Sequence, residues 1–131
     1  MVSPLPPYAA MIGIVVEDGP DGPRLRLPFA EPLLGRPGFL HGGMIAGLLE
    51  LAASSQLRHA LGTEPARVEL LTITVDYLRA GHPLETFAAA RAIRIGGRIA
   101  NLTAEAWQDD PDRPIATARI NLRIFRDEGK G

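Results

Sequence analysis

The stretch Leu40-His-Gly-Gly-Met-Ile-Ala-Gly-Leu-Leu-Glu-Leu-Ala-Ala53 sets the fold, and Glu50 is the single Asp, Glu, Lys or Arg between Arg36 and Arg58. An ionised carboxylate taken out of water costs several kcal/mol unless it is paired, hydrogen-bonded or neutralised. Glu50 therefore needs a chemical reason. From about Gly42 to Leu61, the residues Ile45, Leu48, Leu49, Ala52, Ala53 and Leu57 recur at the three-and-four spacing of a helix with a wide apolar stripe. Gly62 is placed to end it. A helix apolar around most of its girth is a buried helix, and a sheet curled around it would bury it.

On either side the pattern is that of strands. Upstream, Gly19-Pro-Asp-Gly-Pro23 is a turn between residues 11–16 and 24–29, which reads as a hairpin, and residues 31–38 form a loop with Pro32 and Pro37. Downstream the period becomes two. Glu69, Leu71, Ile73, Val75 and Tyr77 are expected on one face, and Val68, Leu70, Thr72, Thr74 and Asp76 on the other. Further strands are predicted over 87–95, 99–107 and 115–125, separated by Gly96-Gly97 and by Asp109-Asp-Pro-Asp-Arg-Pro114. The expectation is an α+β chain, a long central helix wrapped by a curved antiparallel sheet of five to six strands. It forms one domain over 1–131 with irregular segments at 1–8 and 127–131. Long strands with unpaired edges invite a second copy of the chain.

Composition narrows the function classes. With 14 basic and 15 acidic residues the net charge is −1, so nothing in the balance points to nucleic acid or an anionic membrane as partner. There is no cysteine, which removes disulfides, thiolate metal sites and a cysteine nucleophile together. Residues 1–7 have no basic segment followed by an apolar core, and no apolar stretch reaches the ~20 residues of a spanning helix. A cytoplasmic location is expected. His41, His59 and His82 have no metal-ligand spacing, and neither a metal nor a cofactor is expected.

The 40–53 stretch, followed by Thr74-Val-Asp-Tyr-Leu-Arg-Ala-Gly81, resembles the hotdog-fold acyl-CoA thioesterases. The similarity is to the phenylacetic-acid-degradation and 4-hydroxybenzoyl-CoA branch. It extends from about residue 10 to 125 through the order of elements, and its specific part is His-Gly-Gly with an acid nine positions after the histidine. The resemblance implies that the Gly42 N–H polarises the thioester carbonyl and that Glu50 is nucleophile or general base. Free N–H groups at a helix start suit a developing oxyanion on physical grounds too, and one such donor is worth roughly 3 kcal/mol. Gly42 and Gly43 could equally serve only a tight loop-to-helix passage, and Glu50 only a buried structural hydrogen bond.

By the same resemblance His41 supports the loop or orients substrate, Gly38 matches the glycine three before the histidine, and Ser54 lies one turn beyond Glu50. Ser54 could bind the attacking water or simply bond back to its own helix. Arg79 is the candidate for the coenzyme A phosphates, with Arg36 and Arg98 read as solvated. One position departs. Many family members carry Asn or Gln six before the histidine, where this chain has Gly35.

Helix arithmetic adds a constraint of its own. Eight residues separate Gly42 from Glu50, roughly 12 Å at ~1.5 Å rise per residue. If both act on one carbonyl, they belong to two chains related by a two-fold axis. The expected assembly is an obligate homodimer, extended to a dimer of dimers, with acyl-CoA as substrate. Alternatives are a non-catalytic acyl-CoA-binding domain and an acyl-thioester dehydratase or hydratase.

Overall fold

The described residues of the computed structural model are 5–126. Residues 1–4 and 127–131, most of the expected irregular ends, lie outside them. The chain opens on a short helix, α1 (Pro7–Ile12), then a hairpin of β1 (Val15–Gly19) and β2 (Gly22–Leu27). The long helix α2 (Gly42–Leu61) precedes β3 (Ala66–Tyr77), β4 (Thr86–Ile95), β5 (Ile99–Trp107) and β6 (Ala116–Arg126). All six strands form one antiparallel sheet in the order β1-β2-β4-β5-β6-β3. One long helix on a six-stranded antiparallel sheet is the hotdog fold, as the sequence predicts.

Helix and sheet fit because alanines line part of the sheet's inner face, between the buried Leu25, Leu27, Leu102, Ile120, Leu122 and Ile124. Ala88, Ala100, Ala104, Ala106, Ala116 and Ala118 are all buried there. Against them α2 presents Leu48, Leu49, Ala52 and Leu57, each almost wholly inaccessible. The alanines leave room for the helix leucines, and the larger sheet residues pack into the same core. The wrapping leaves a gap. Gly47, Glu50, Ser54 and Arg58 stay half-buried along one strip of α2 instead of being covered.

Two expectations need correction at the N-terminal end. Residues 7 and 8, read as irregular, begin α1, which has proline at its first positions and the left-handed Gly13 (φ 87°) as its C-cap. The first strand consequently starts at Val15 rather than at Met11. What secures so short a helix is packing. Tyr8 lies flat on Gly47 of α2, where a methyl group would meet the ring at 2.8 Å, and its hydroxyl bonds the Met44 sulfur at 3.4 Å.

The alternation read along β3 is also corrected. Pairing with β6 runs Val68 to Ile124 and Leu70 to Leu122, then skips to Thr72 with Asn121 and Ile73 with Ile120. Leu71 is the extra residue of a bulge. The slip moves Val68 onto the same core-packed side as Ile73 and Val75, which a strict period of two puts on opposite faces. A second register shift, between Ala92 and Arg94, leaves Ile93 as the unpaired residue of β4.

The alanine floor makes a direct prediction. Ala106→Leu is expected to overpack the helix–sheet seam and destabilise the protein by about 1–3 kcal/mol, read from urea unfolding midpoints.

Candidate active site

The start of α2 is a prepared hydrogen-bonding end. His41 is its N-cap, with extended backbone (φ −66°, ψ 131°), and its Nδ1 accepts the Gly43 N–H at 2.9 Å. The His41 carbonyl accepts from Met44 at 3.0 Å and from Ile45 at 3.3 Å. Among the described residues the Gly42 N–H has no acceptor, so of the first-turn donors it is the one left to meet a ligand. Because Nδ1 is an acceptor, the ring is the tautomer that carries its proton on Nε2.

The surrounding loops are fixed by backbone bonds. His41 N–H donates to Leu33, Leu40 N–H to Gly81, and Leu78 and Arg79 N–H both to Ile115. The buried Gln108 amide then ties down His82 and Thr86. Tyr77, at the end of β3, donates its hydroxyl to the Gly42 carbonyl at 2.8 Å and lies over that residue. A cavity of about 710 Å³ opens at this end, bordered by Gly42, Tyr77, Leu78, Arg36 and Arg79. Arg79 is steadied by a 2.6 Å bond to the Pro114 carbonyl.

Gly35 packs behind the histidine. A methyl group there would meet the His41 Cα and Cδ2 at 3.3 Å, tighter than ordinary contact. Gly38 takes φ 83° with open space around it; it turns the loop and borders neither cavity. Gly43 is closed by its cap, since a methyl group would lie 2.9 Å from the His41 ring.

Glu50 lies in a different place. It faces a larger groove of about 930 Å³, together with Leu51 and Ser54 from α2, Leu5 and Pro6 from the N-terminal segment, and Val68 from β3. Its carboxyl pKa is raised above the usual value by burial alone, because no cation or hydrogen-bond donor pairs with it among the described residues. One chain therefore brings Glu50 and Ser54 together, and His41, Gly42 and Arg79 together, but does not bring the two sets to one cavity. Tyr77 is a site residue that strand periodicity does not single out. Its bond crosses 35 residues of sequence, and although Tyr77 lies in the 74–81 stretch that carries the resemblance, nothing there announces this contact.

The architecture defines a hotdog-fold protein, and the comparisons give its family. Residues 37–115 match the family model described as the thioesterase superfamily, and the chain belongs to that superfamily. No curated protein matches it. Among solved structures, a Chromobacterium violaceum protein is 34% identical with TM-score 0.72, over 89% of this chain and 82% of its own. A candidate esterase of Mycobacterium tuberculosis is 25% identical with TM-score 0.81, over 92% and 98%. A Bacillus halodurans protein solved with CoA shares the fold at 18% identity and TM-score 0.82, over 91% and 78%. Superfamily membership supports thioester hydrolysis in general. In the described residues no helix is long and apolar enough to cross a membrane.

Burial of the charge makes its own prediction. In the folded chain the Glu50 pKa lies above its unfolded value, so the ionised carboxylate is a penalty to folding that appears as pH rises through the folded pKa. Glu50→Gln should melt at a higher temperature than wild type at pH 7. The difference should shrink as pH falls toward the ordinary carboxylate range, and differential scanning calorimetry at several pH values checks it.

Proposed function

We propose that the protein hydrolyses acyl-CoA thioesters at two composite sites of a homodimer, each combining Gly42 of one chain with Glu50 of the other. The observation that carries this reading is the separation of a free helix-start N–H from a buried carboxylate by eight residues of one straight helix. At roughly 12 Å along the axis, neither can reach a carbonyl held by the other within a chain.

The sheet supplies the way to join them. β3 is an outermost strand with no neighbour on its far side, and Leu71, Tyr77 and Leu78 are left about half exposed along it. It runs opposite to α2, so its Tyr77 end lies at Gly42 while its Val68 end borders the Glu50 groove. A two-fold axis through the middle of β3 pairs it with its copy antiparallel and sets each Gly42 end against the partner's Glu50 end. Two such dimers back to back would give the dimer of dimers.

In this site the thioester oxygen accepts from the Gly42 N–H, favoured by the helix dipole. The carboxylate takes a proton from water as the water oxygen bonds the carbonyl carbon, and the oxyanion stays on Gly42. When the carbonyl re-forms, the C–S bond breaks and the coenzyme thiolate leaves with the proton from Glu50. The free acid and CoA are the products. A raised pKa suits this base role because it brings the carboxylate nearer the working pH. Direct attack by Glu50 uses the same two groups: its oxygen bonds the carbonyl carbon as the C–S bond breaks and the thiolate leaves, and water then splits the anhydride, placing its oxygen in the enzyme carboxylate when it attacks the Glu50 carbonyl and in the product acid when it attacks the acyl carbonyl. Ser54, one turn beyond, is placed to hold the water. His41 positions the helix start through its bond to Gly43, and Arg79 is placed for the coenzyme phosphates. The CoA-bound fold relative supports the choice of thioester.

Release of free thiol from a panel of acyl-CoAs tests the reading. Glu50→Ala should lower kcat/KM more than a hundredfold; wild type that binds acyl-CoA without turnover is instead a non-catalytic binding domain. Gly42→Pro removes the N–H at a position where the backbone accepts proline, since His41 already has the extended backbone it requires, and the Cβ of its added ring lies at ordinary contact distance from Tyr77. It should lose about a hundredfold. Mixing the two inactive chains decides the sharing. Random reassociation should restore roughly a quarter of wild-type activity if sites are shared across the two-fold, and none if each chain holds its own.

A further inference from the structure

The two halves of the proposed site differ in charge. The Gly42 cavity is bordered by Arg36 and Arg79 and by no Asp or Glu. The Glu50 groove carries Asp18, Asp21 and Glu69 on its rim besides Glu50 itself, four carboxylates against the single guanidinium of Arg58. Among the described residues Asp18 and Asp21 form no ion pair, and Glu69 is paired only with Arg67 outside the groove, at 3.1 Å between well-exposed side chains. Arg58 is itself engaged with the Ala66 carbonyl. Arg36 lies over the Phe39 ring at 4.3 Å and Arg79 is bonded to Pro114, and among the described residues neither guanidinium is paired with a carboxylate at the cavity mouth.

We infer that the composite site sorts its ligand by charge: the anionic coenzyme lies over the Arg36 and Arg79 half, and the Glu50 half accepts only acyl groups without a terminal carboxylate. This deepens the reading under Proposed function and rests on it. The same polarity complements itself across the two-fold, because each chain's basic half faces its partner's acidic half. An acyl chain that leaves the carbonyl at Glu50 runs beside Leu5, Leu51 and Val68 toward Ser54, about 6 Å further along the helix. A six-carbon acyl group ends near there. A carboxylate at its far end would enter a partly desolvated groove already rich in like charge, where among the described residues Arg58 is the single Lys or Arg and is engaged with the Ala66 carbonyl.

The test compares hexanoyl-CoA with adipoyl-CoA, equal in length and differing at the terminal carboxylate. At low ionic strength kcat/KM for hexanoyl-CoA should exceed that for adipoyl-CoA at least about tenfold, and the ratio should fall in about 0.5 M NaCl as the rim charges are screened. The triple variant Asp18→Asn, Asp21→Asn, Glu69→Gln should bring the ratio to within about threefold. Equal rates in wild type, or a ratio moved neither by salt nor by the triple variant, would overturn the inference.

Binding of the thioethers S-hexyl-CoA and S-(5-carboxypentyl)-CoA, followed by calorimetry, makes the comparison without turnover. The same order of affinities in a protein that hydrolyses nothing upholds charge sorting and sinks only the hydrolytic reading. Equal affinities sink charge sorting, whatever the turnover. On the coenzyme side, Arg36→Ala with Arg79→Ala should weaken S-hexyl-CoA about tenfold or more while leaving S-hexyl-pantetheine, which lacks the nucleotide, within about twofold. An equal loss for both thioethers would refute the placement of the coenzyme.

Discussion

The spacing along α2 is the constraint on which the rest depends. Twenty residues of continuous helix behave as a rod, and the rod fixes how far its first turn stands from its third. No side-chain rotamer closes that interval. The donor at Gly42 and the carboxylate at Glu50 are thus committed to different cavities within a chain, and a joint site passes through the open edge at β3. The edge would otherwise be a hazard of unpaired backbone groups. Here it is the element that spans from one cavity to the other.

The alanine-lined sheet is the other half of the same arrangement. With alanines beneath it, α2 keeps its leucines inward, and one of the parts left only half-buried is a strip along its outer side. That strip carries Gly47, Glu50, Ser54 and Arg58. The N-terminal helix closes over its beginning through Tyr8 and Gly47, so the carboxylate is desolvated without being sealed. Partial burial of this kind raises a carboxyl pKa while leaving it reachable by substrate.

How much could be read in advance follows from the length of each signal. The α2 pattern runs over twenty residues, and a lone charge in it stands out against the cost of burying it. The six strands follow from repeated alternation between strong turns. Single-residue insertions escape this reading. The bulge at Leu71 leaves every neighbouring residue type plausible for a strand, and only the pairing with β6 reveals the skipped position. Helix α1 escapes for a different reason. Six residues are too few for periodicity to separate helix from loop, and although Pro7 and Gly13 are proper end signals, the helix depends on a ring that finds its seat 39 positions later at Gly47. The candidate site divides likewise. His41, Gly42 and Glu50 are legible because one contiguous motif holds them, whereas Tyr77 joins through a contact that only the folded chain creates.

Gly35 and His41 form a packed pair at the start of α2. The space in which many similar thioesterases are expected to carry an amide side chain is filled here by the back of the histidine, 3.3 Å from where a first carbon would stand. An amide at 35 can be gained only as His41 yields by a few tenths of an ångström, and His41 is held by its bond to Gly43. The two positions are therefore coupled in space. A side chain at 35 therefore presses on the cap of α2 before it can meet any ligand, so what is placed in this loop is felt first at the helix start.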